Sequence, residues 1–250
     1  VGQEHNITYS YCNTFISFRK VHFPLAQSLR TCYNAQRGDF MTDLPVFTAA
    51  DGLATLILHE IPAKREAYIL VRTVFGTLDG LLRECAAFCR GTGAERVYAG
   101  GAANFSGYPV FARLIERSAE FPTLPQTDCA VEPVAQDTAE RWAALYNDRF
   151  RAVPSAQSCG FAETRRLAAS GECFFVTENG GRIGLGRVRG ETLLALASLV
   201  PGAGERTLLT LVRHCGLHRV ELVCAVENPR AMALYDRLHF SRGKLRQSWY

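Results

Sequence analysis

Residues 227–240, ENPRAMALYDRLHF, have the pattern of a capped amphipathic helix. Asn228 is a favoured N-cap, because its side chain can accept a hydrogen bond from the first turn, and Pro229 is favoured at the first helical position. Four apolar side chains recur at helical spacing and would lie on one face. They are Ala231, Leu234, Tyr235 and Leu238. A capped amphipathic helix explains why Asn228 and Pro229 are present. It does not by itself require the particular residues that follow at 230–240.

The segment before this helix predicts two parallel strands joined by a second helix. Residues 192–200, TLLALASLV, are apolar on both faces of a strand, which predicts a central strand covered on both sides. A glycine-containing loop follows at 201–204, then a helix over 205–215 and a strand over 219–226. Two strands joined by a helical crossover run parallel, with a right-handed connection.

Residues 121–188 predict a linker, a strand, two helices and a hairpin. Two prolines within five residues indicate a linker at 121–130, and Glu-Asn-Gly-Gly at 178–181 is a strong turn signal. The predicted elements are a strand over 131–134, a helix from the N-cap Asp137 to residue 150, a helix over 159–169, and strands over 173–177 and 182–188.

Residues 53–119 predict a similar order. The predicted elements are strands over 53–60 and 67–75, a helix over 78–90, a strand over 96–99 and a helix over 110–119. Four residues of this half also have the mutual spacing of four residues in the last helix. Asn104, Phe111, Arg113 and Leu114 match Asn228, Tyr235, Arg237 and Leu238. The shared order and spacing indicate a tandem duplication.

The order Asn-x-x-Ala-x-x-Leu-Tyr at 228–235, closed by Arg-Leu-x-Phe at 237–240, resembles the C-terminal acyl-CoA motif of the GNAT superfamily of N-acyltransferases. The resemblance extends over residues 130–250, and over 41–120 only in the order of elements. It implies the acyl-CoA N-acyltransferase fold, an α/β (α+β) structure with a mixed, mostly antiparallel sheet and helices on both faces. We therefore expect an extension of unknown role at 1–40, a degenerate GNAT-like domain at 41–125 and a GNAT acetyltransferase domain at 126–250.

The resemblance implies an acetyl-CoA site between the two parallel strands. The strands would splay apart at 196–199 and 223–226 and bind the pantetheine arm. The loop after the first strand would hold the pyrophosphate at a helix N-terminus, where backbone donors are unpaired and the helix dipole favours anions. The residues implied in cofactor binding are Leu199, Val200, Gly202, Ala203, Gly204, Glu205, Arg206, Asn228 and Tyr235.

Two departures from the family pattern concern this site. The family loop is usually longer, whereas Pro201 here passes directly into Gly202, so several phosphate-binding amides are expected to be missing. The glycine that normally precedes the closing Phe240 is replaced by His239, which can adopt a left-handed conformation only at a cost in free energy.

Tyr235 is the candidate general acid, because a phenol can donate a proton to the departing sulfur of coenzyme A. Glu191, at the start of the central strand, is a candidate base, and a solvated turn residue is the alternative interpretation. The first half has Phe111 at the position matched to Tyr235 and lacks a glycine-rich phosphate loop. That half is therefore not expected to bind or activate acyl-CoA.

The expected activity is transfer of an acetyl group from acetyl-CoA to the primary amine of a small molecule or peptide by direct attack. A catalytically inactive GNAT-fold protein that binds a ligand or a partner is the first alternative. Transfer of a larger aminoacyl or fatty acyl group is the second. Neither the acceptor nor the oligomeric state follows from the sequence.

Composition argues against several other classes. Hydrophobic residues make up 48% and charged residues 21% of the chain, which is a globular balance and not that of a disordered protein. The net charge of +4 comes from scattered lysines and arginines, so no nucleic-acid surface is predicted. No segment has the apolar length of a membrane span, and the nine cysteines fit no metal-site spacing. We expect a cytoplasmic protein with reduced thiols and no metal.

Overall fold

The computed structural model describes residues 43–250, and the expected extension at 1–40 lies outside the described residues. Within that part of the chain there are eleven strands and six helices. The strands are β1 Leu44–Ala49, β2 Gly52–Ile57, β3 Glu66–Val74, β4 Arg96–Gly101, β5 Ala112–Glu120, β6 Ala130–Pro133, β7 Cys173–Glu178, β8 Gly181–Arg189, β9 Thr192–Ser198, β10 Arg219–Ala225 and β11 Lys244–Trp249. The helices are α1 Ile61–Lys64, α2 Leu78–Gly91, α3 Ala139–Phe150, α4 Phe161–Ala169, α5 Gly204–His214 and α6 Pro229–Arg237.

Hydrogen bonds arrange the strands in two sheets. The first sheet has the order β1-β2-β3-β4, and the second has the order β11-β5-β10-β9-β8-β7-β6. Two neighbouring pairs are parallel, β3 with β4 and β9 with β10, and each is joined by a helix, α2 or α5. The other neighbours are antiparallel. The predicted class, a mixed and mostly antiparallel α/β fold, is confirmed.

The two sheets meet at the C-terminal strand β11. Tyr250 and Ala99 exchange two backbone hydrogen bonds of 2.9 and 3.0 Å, so the end of β11 pairs with β4. On its other side β11 pairs with β5, where Trp249 lies opposite Ala112. Strand β11 therefore links the first sheet to the second.

Helices cover both faces of the seven-stranded sheet. Side chains alternate along β7, so Phe174 and Val176 lie in a core with α5 and α6. Cys173 and Phe175 point to the other face and lie in a core with α3 and α4. A third core joins α2 to the four-stranded sheet. Helices α5 and α6 therefore cover one face of the seven-stranded sheet, and α3 and α4 cover the other face.

Residues 112–120 form strand β5, and the helix predicted over 110–119 is wrong. The inward side chains of β5 alternate, with Ile115, Arg117 and Ala119 buried. A half-buried strand is recognised from apolar residues at every second position, and the arginine breaks that pattern. Burial of Arg117 is possible because its guanidinium donates hydrogen bonds to Asp236 and to the carbonyl oxygens of Phe240 and Ser241.

The residue match between Phe111 and Tyr235 is also wrong. Phe111 directly precedes β5, whereas Tyr235 lies on α6. The Phe111 ring stacks on Tyr98 of β4, with ring centroids 3.7 Å apart. The two halves share the order strand, helix and parallel strand, but they do not share a helix after it.

Among residues 43–250, no helix is long and apolar enough to cross a membrane. The same residues contain no group of three or more His, Cys, Asp or Glu side chains placed to hold a metal ion.

Candidate functional site

Strands β9 and β10 are paired at one position and then separate. Thr192 lies opposite Glu221, and the amide of Glu221 donates a 2.9 Å hydrogen bond to the carbonyl oxygen of Glu191. No further β9–β10 pair occurs among the described residues, although the strands continue to Ser198 and Ala225. The other parallel pair, β3 with β4, is paired at six positions. Beyond Thr192 and Glu221 the facing edges of β9 and β10 do not pair with each other, and we call this unpaired region the β9–β10 gap.

The helix α6 that follows β10 is fixed at its N-terminus. The Asn228 side chain accepts a 3.2 Å hydrogen bond from the amide of Ala231, and Pro229 occupies the first turn. The predicted cofactor-binding residue Asn228 therefore uses its side-chain oxygen as a helix cap.

The C-terminus of α6 is closed by two backbone hydrogen bonds. The amide of Phe240 donates to the carbonyl oxygen of Tyr235 at 2.9 Å, and the amide of His239 donates to that of Asp236 at 3.1 Å. This is the Schellman arrangement, which places a left-handed residue after the helix. His239 has a φ of 56°, so it adopts the conformation normally supplied by glycine.

Tyr235 is buried beside the unpaired part of β10. Only 7% of its surface is exposed, and its ring centroid lies 5.2 Å from that of Phe240. The thiol of Cys224 interacts electrostatically with the Tyr235 hydroxyl. Cys224 lies on β10, three residues beyond Glu221, the residue that pairs with β9. Burial raises the pKa of the Tyr235 hydroxyl, Cys224 raises it further, and the guanidinium of Arg117 lowers it in part. The hydroxyl is therefore protonated at neutral pH and can act as a proton donor.

The loop between β9 and α5 lies against the sheet. The amides of Leu199 and Val200 both donate to the carbonyl oxygen of Ile183, at 2.8 and 3.4 Å. Gly202 has a φ of 75°, a backbone conformation that favours glycine. Two amides of this loop are consequently committed to the sheet and are not free to bind a ligand.

The first amides of α5 are available to an anion. The helix begins at Gly204, and its first amide with a backbone acceptor is that of Thr207. Within the described residues, the amides of Gly204, Glu205 and Arg206 have no backbone acceptor, and they lie at the positive end of the helix dipole. A Cβ added at Gly204 would lie 3.1 Å from the hydroxyl oxygen of Ser198, so this helix end adjoins the end of β9.

The side chains at this helix end are held in ion pairs. Arg206 Nε lies 3.1 Å from Glu178 Oε1, and Arg237 Nε lies 3.6 Å from Glu205 Oε2. A phosphate contact from the Arg206 guanidinium would therefore compete with Glu178.

Glu191 lies away from Tyr235. It is exposed in the turn before β9, and its carbonyl oxygen accepts the hydrogen bond that closes the gap. Cys224, the β10 neighbour of Tyr235, is three residues further along β10 than Glu221, or about 10 Å at the rise of a strand. The structure brings the loop, the end of β9 and α6 together, but it leaves Glu191 at the closed end of the gap.

Two neighbours of Tyr235 were not predicted, Cys224 and Arg117. Cys224 follows Val223 in a strand that was correctly located, and its inward position could have been read from the alternation with Leu222. Arg117 lies within the segment for which the sequence pattern predicts a helix, so no signal in the sequence places it near Tyr235.

The sequence matches no family model and no curated protein. The structure is similar to a GCN5-related N-acetyltransferase from Sphaerobacter thermophilus, with 13% identity, a TM-score of 0.49, and coverage of 79% of this chain and 74% of that chain. It is also similar to one from Kribbella flavida, with 13% identity, a TM-score of 0.49, and coverage of 82% and 87%. A tandem GNAT protein from the clavulanic acid biosynthesis pathway gives 14% identity, a TM-score of 0.43, and coverage of 80% and 77%.

Strands β9 and β10 separate as the resemblance of residues 228–240 implies, and α6, the helix with that motif, packs beside them. The gap, the loop and Tyr235 all lie in the second half of the chain. The β3–β4 pair of the first half stays closed along six positions.

Proposed function

We propose that the protein is an N-acetyltransferase that moves an acetyl group from acetyl-CoA to a primary amine of a small molecule or peptide. The β9–β10 gap carries the proposal. Backbone groups that lose their strand partner are destabilising unless another group satisfies them. A chain-like ligand with amide groups, such as the pantetheine arm, would supply those partners on both edges of the gap.

The residues proposed to hold the cofactor surround this gap. The amides of Gly204, Glu205 and Arg206 support a pyrophosphate site, because they are unpaired at a helix N-terminus. Leu199, Val200, Gly202 and Ala203 would shape the loop before that helix, and Asn228 would keep α6 in place behind the gap.

Tyr235 is proposed as the general acid. The amine nitrogen forms a bond to the thioester carbonyl carbon, and the carbon–sulfur bond breaks to release a thiolate. Tyr235 donates its proton to this sulfur and regains a proton, through water, from the nitrogen that has been acylated. Burial disfavours the transient phenolate, and the positive charge of Arg117 offsets part of that cost.

A strong base is not needed for this reaction. An alkyl amine with a pKa near 10.4 loses its proton at pH 7 at a cost of about 4.6 kcal/mol. Holding the two reactants in line can contribute roughly 7–11 kcal/mol. Glu191 would take part only through a chain of water molecules, because it lies at the closed end of the gap.

The experiment that tests the proposal is the Tyr235→Phe variant in a thiol-release assay with acetyl-CoA and a panel of amines. Loss of a general acid lowers turnover by roughly 10²- to 10⁴-fold. Affinity for acetyl-CoA, measured by calorimetry, should change little because the ring is retained. Tyr98→Phe, on β4 of the other sheet, is the matched control and should keep full turnover. Unchanged turnover in Tyr235→Phe would remove this residue from the mechanism.

A second candidate function is ligand or partner binding without catalysis. Two observations favour it, the short loop whose amides at Leu199 and Val200 bond to the sheet, and the pairing of Arg206 with Glu178. Calorimetric titration separates the two functions, because a protein that does not bind the cofactor gives no heat with millimolar acetyl-CoA.

We also propose that residues 41–125 are a degenerate copy of the domain at 126–250 and do not bind acyl-CoA. The N-terminus of α2 supports this, because the Thr77 side chain accepts a hydrogen bond from the amide of Gly80 at 3.1 Å. The carboxylate of Asp51 also accepts a hydrogen bond from Thr77, at 3.1 Å. A helix end that already faces a carboxylate is unfavourable for a pyrophosphate.

A further inference from the structure

A cleft of about 630 Å³ lies on the β8 side of strand β9, between α3, the β7–β8 turn and β6. This volume is in the range of small-molecule sites. The side chains that matter for its chemistry are Glu132, Arg141, Leu145, Arg149, Arg182 and Leu199. We call it the arginine cleft.

Positive charge exceeds negative charge in the arginine cleft. Arg141 and Arg149 lie eight residues apart on one side of α3, about 12 Å along the helix axis. The third arginine, Arg182, is paired with Glu132, the one carboxylate in the lining. Hydrogen bonding to Arg182 lowers the pKa of Glu132. The Glu132 carboxylate is therefore ionised, and its partner is Arg182. Arg141 acts on Glu132 only through its charge, and Arg149 lies 3.9 Å from the exposed Asp148.

Arg182 and Arg149 are also held in place. The Arg182 guanidinium lies 4.0 Å from the centroid of the Phe175 ring, in addition to its bonds with Glu132. Arg149 donates a 3.1 Å hydrogen bond to the carbonyl oxygen of Leu199, where β9 enters the loop before α5. A guanidinium has five N–H donors in a planar array, so each of these groups retains donors for a tetrahedral anion.

We propose that the arginine cleft binds the phosphate group of a small-molecule ligand. Two ligands would carry this chemistry. One is the nucleotide end of acetyl-CoA, for which Arg149 would replace contacts that the short loop lacks. The other is an acceptor that is itself phosphorylated. The first case rests on the proposed function, and the second adds an acceptor class to it.

Calorimetric titration of the full chain tests the proposal with three probes, adenosine 3′,5′-bisphosphate, inorganic phosphate and adenosine. The double variant Arg141→Gln/Arg149→Gln removes the two cleft arginines other than Arg182, the partner of Glu132. Its matched control is Arg83→Gln/Arg90→Gln, which removes two exposed arginines from α2 and changes the net charge equally. Each lost charge-assisted hydrogen bond is worth about 1.5–3 kcal/mol, so the cleft variant should bind the phosphate probes at least about tenfold more weakly. The control should bind as the wild type does.

The probes separate the two sources. Bisphosphate binding at least tenfold tighter than that of inorganic phosphate assigns the cleft to a nucleotide, and equal binding assigns it to a phosphorylated acceptor. Three results would overturn the proposal: neither phosphate probe binds at millimolar concentration, adenosine binds as well as the bisphosphate, or the control loses as much affinity as the cleft variant. None of the probes contains a thioester or a pantetheine arm, so a failure of acetyl transfer would not change this test.

Discussion

Arg117 of β5 donates a 2.7 Å hydrogen bond to Asp236, the residue that follows Tyr235 on α6. The same guanidinium donates to the carbonyl oxygens of Phe240 at 2.9 Å and Ser241 at 2.6 Å, just beyond the helix. Arg117 is 2% exposed, whereas Asp236 is 65% exposed. A strand from the first half of the chain therefore anchors the end of the helix that carries the proposed acid.

Arg117→Met should destabilise the fold more than Asp236→Asn. Removing the guanidinium leaves two carbonyl oxygens without their donor, at about 1–3 kcal/mol for each buried group, so we expect a loss of roughly 2–4 kcal/mol. Asp236→Asn keeps both carbonyl contacts and removes an exposed charge, which is worth about 1 kcal/mol or less. Urea unfolding of both variants measures the difference. Equal losses would show that the carbonyl contacts contribute little.

The stability of the first half should depend on the charge of His59. Its Nδ1 lies 2.9 Å from Asp43, and its Nε2 lies 3.3 Å from Glu60. Burial opposes the charged imidazole, but hydrogen bonds to Asp43 and Glu60 outweigh it and raise the pKa of His59 to about 10 from 6.5. A pKa that is raised in the folded state gives stability that is complete below the unfolded pKa and is lost as pH rises through the folded pKa. The contribution of His59 is therefore complete below pH 6.5 and is lost towards pH 10.

His59→Gln should remove this pH dependence. The free energy of unfolding of the wild type should exceed that of the variant by on the order of 1–3 kcal/mol at pH 6, and the excess should shrink towards pH 10. Urea unfolding at pH 6, 8 and 10 provides the comparison. A constant difference between the two proteins across this range would contradict the pKa assignment.

Local signals explain why most of the second half could be predicted. The Asn228 cap, the turn at 178–181 and the apolar run at 192–200 each determine structure over a few residues, and the observed elements lie there. The β9–β10 gap has no local signal, because it depends on where two strands cease to pair. It could be expected only through the family resemblance of residues 228–240.

Strands β5 and β11 show the limit of local signals. Strand β11, Lys244–Trp249, has three exposed residues followed by two half-buried ones and the buried Trp249, so no apolar alternation marks it. Strand β5 carries an arginine at a buried position, and its place between β10 and β11 depends on residues more than 90 positions away. Both strands are defined by long-range pairing and not by their own sequence.

His239→Gly should stabilise the protein. His239 has a φ of 56°, which is unfavourable for a residue with a Cβ by about 1–2 kcal/mol, and the greater freedom of glycine in the unfolded chain offsets part of that gain. We expect a net gain of about 0.5–1 kcal/mol in thermal or urea unfolding. His214→Gly, in the last turn of α5, is the control of opposite sign and should lose about 1–2 kcal/mol, because glycine weakens a helix and the edge-on contact of the imidazole with the Phe174 ring is removed. A loss in His239→Gly would mean that the imidazole makes a stabilising contact.

Glu191→Gln should have little effect on acetyl transfer. The side chain is exposed at the closed end of the gap, so it would influence the amine only through water. We expect turnover to fall by less than about threefold, against roughly 10²-fold or more for Tyr235→Phe. The dependence of turnover on pH should also be unchanged. A loss as large as that of Tyr235→Phe would establish Glu191 as the base.

The close approach of α5 to strand β8 should be sensitive to a single methyl group at Gly184. A Cβ added there would lie 2.1 Å from Oγ1 and 2.8 Å from the Cβ of Thr207, which is fully buried in the first turn of α5. Thr207 also donates a 2.7 Å hydrogen bond to the carbonyl oxygen of Ala203, so its side chain cannot rotate away without losing that bond.

Gly184→Ala should therefore displace the first turn of α5, which bears the amides proposed for the pyrophosphate. Overpacking of this kind costs about 1–3 kcal/mol of stability, and we expect weaker binding of acetyl-CoA in the same variant. Gly91→Ala, at the end of α2, is the control, because no atom lies within 4 Å of its added Cβ. Urea unfolding and acetyl-CoA titration of the two variants give the comparison. Equal affinity in both, with the stability loss confined to Gly184→Ala, would separate the packing of α5 from cofactor binding and would move the pyrophosphate site away from this helix end.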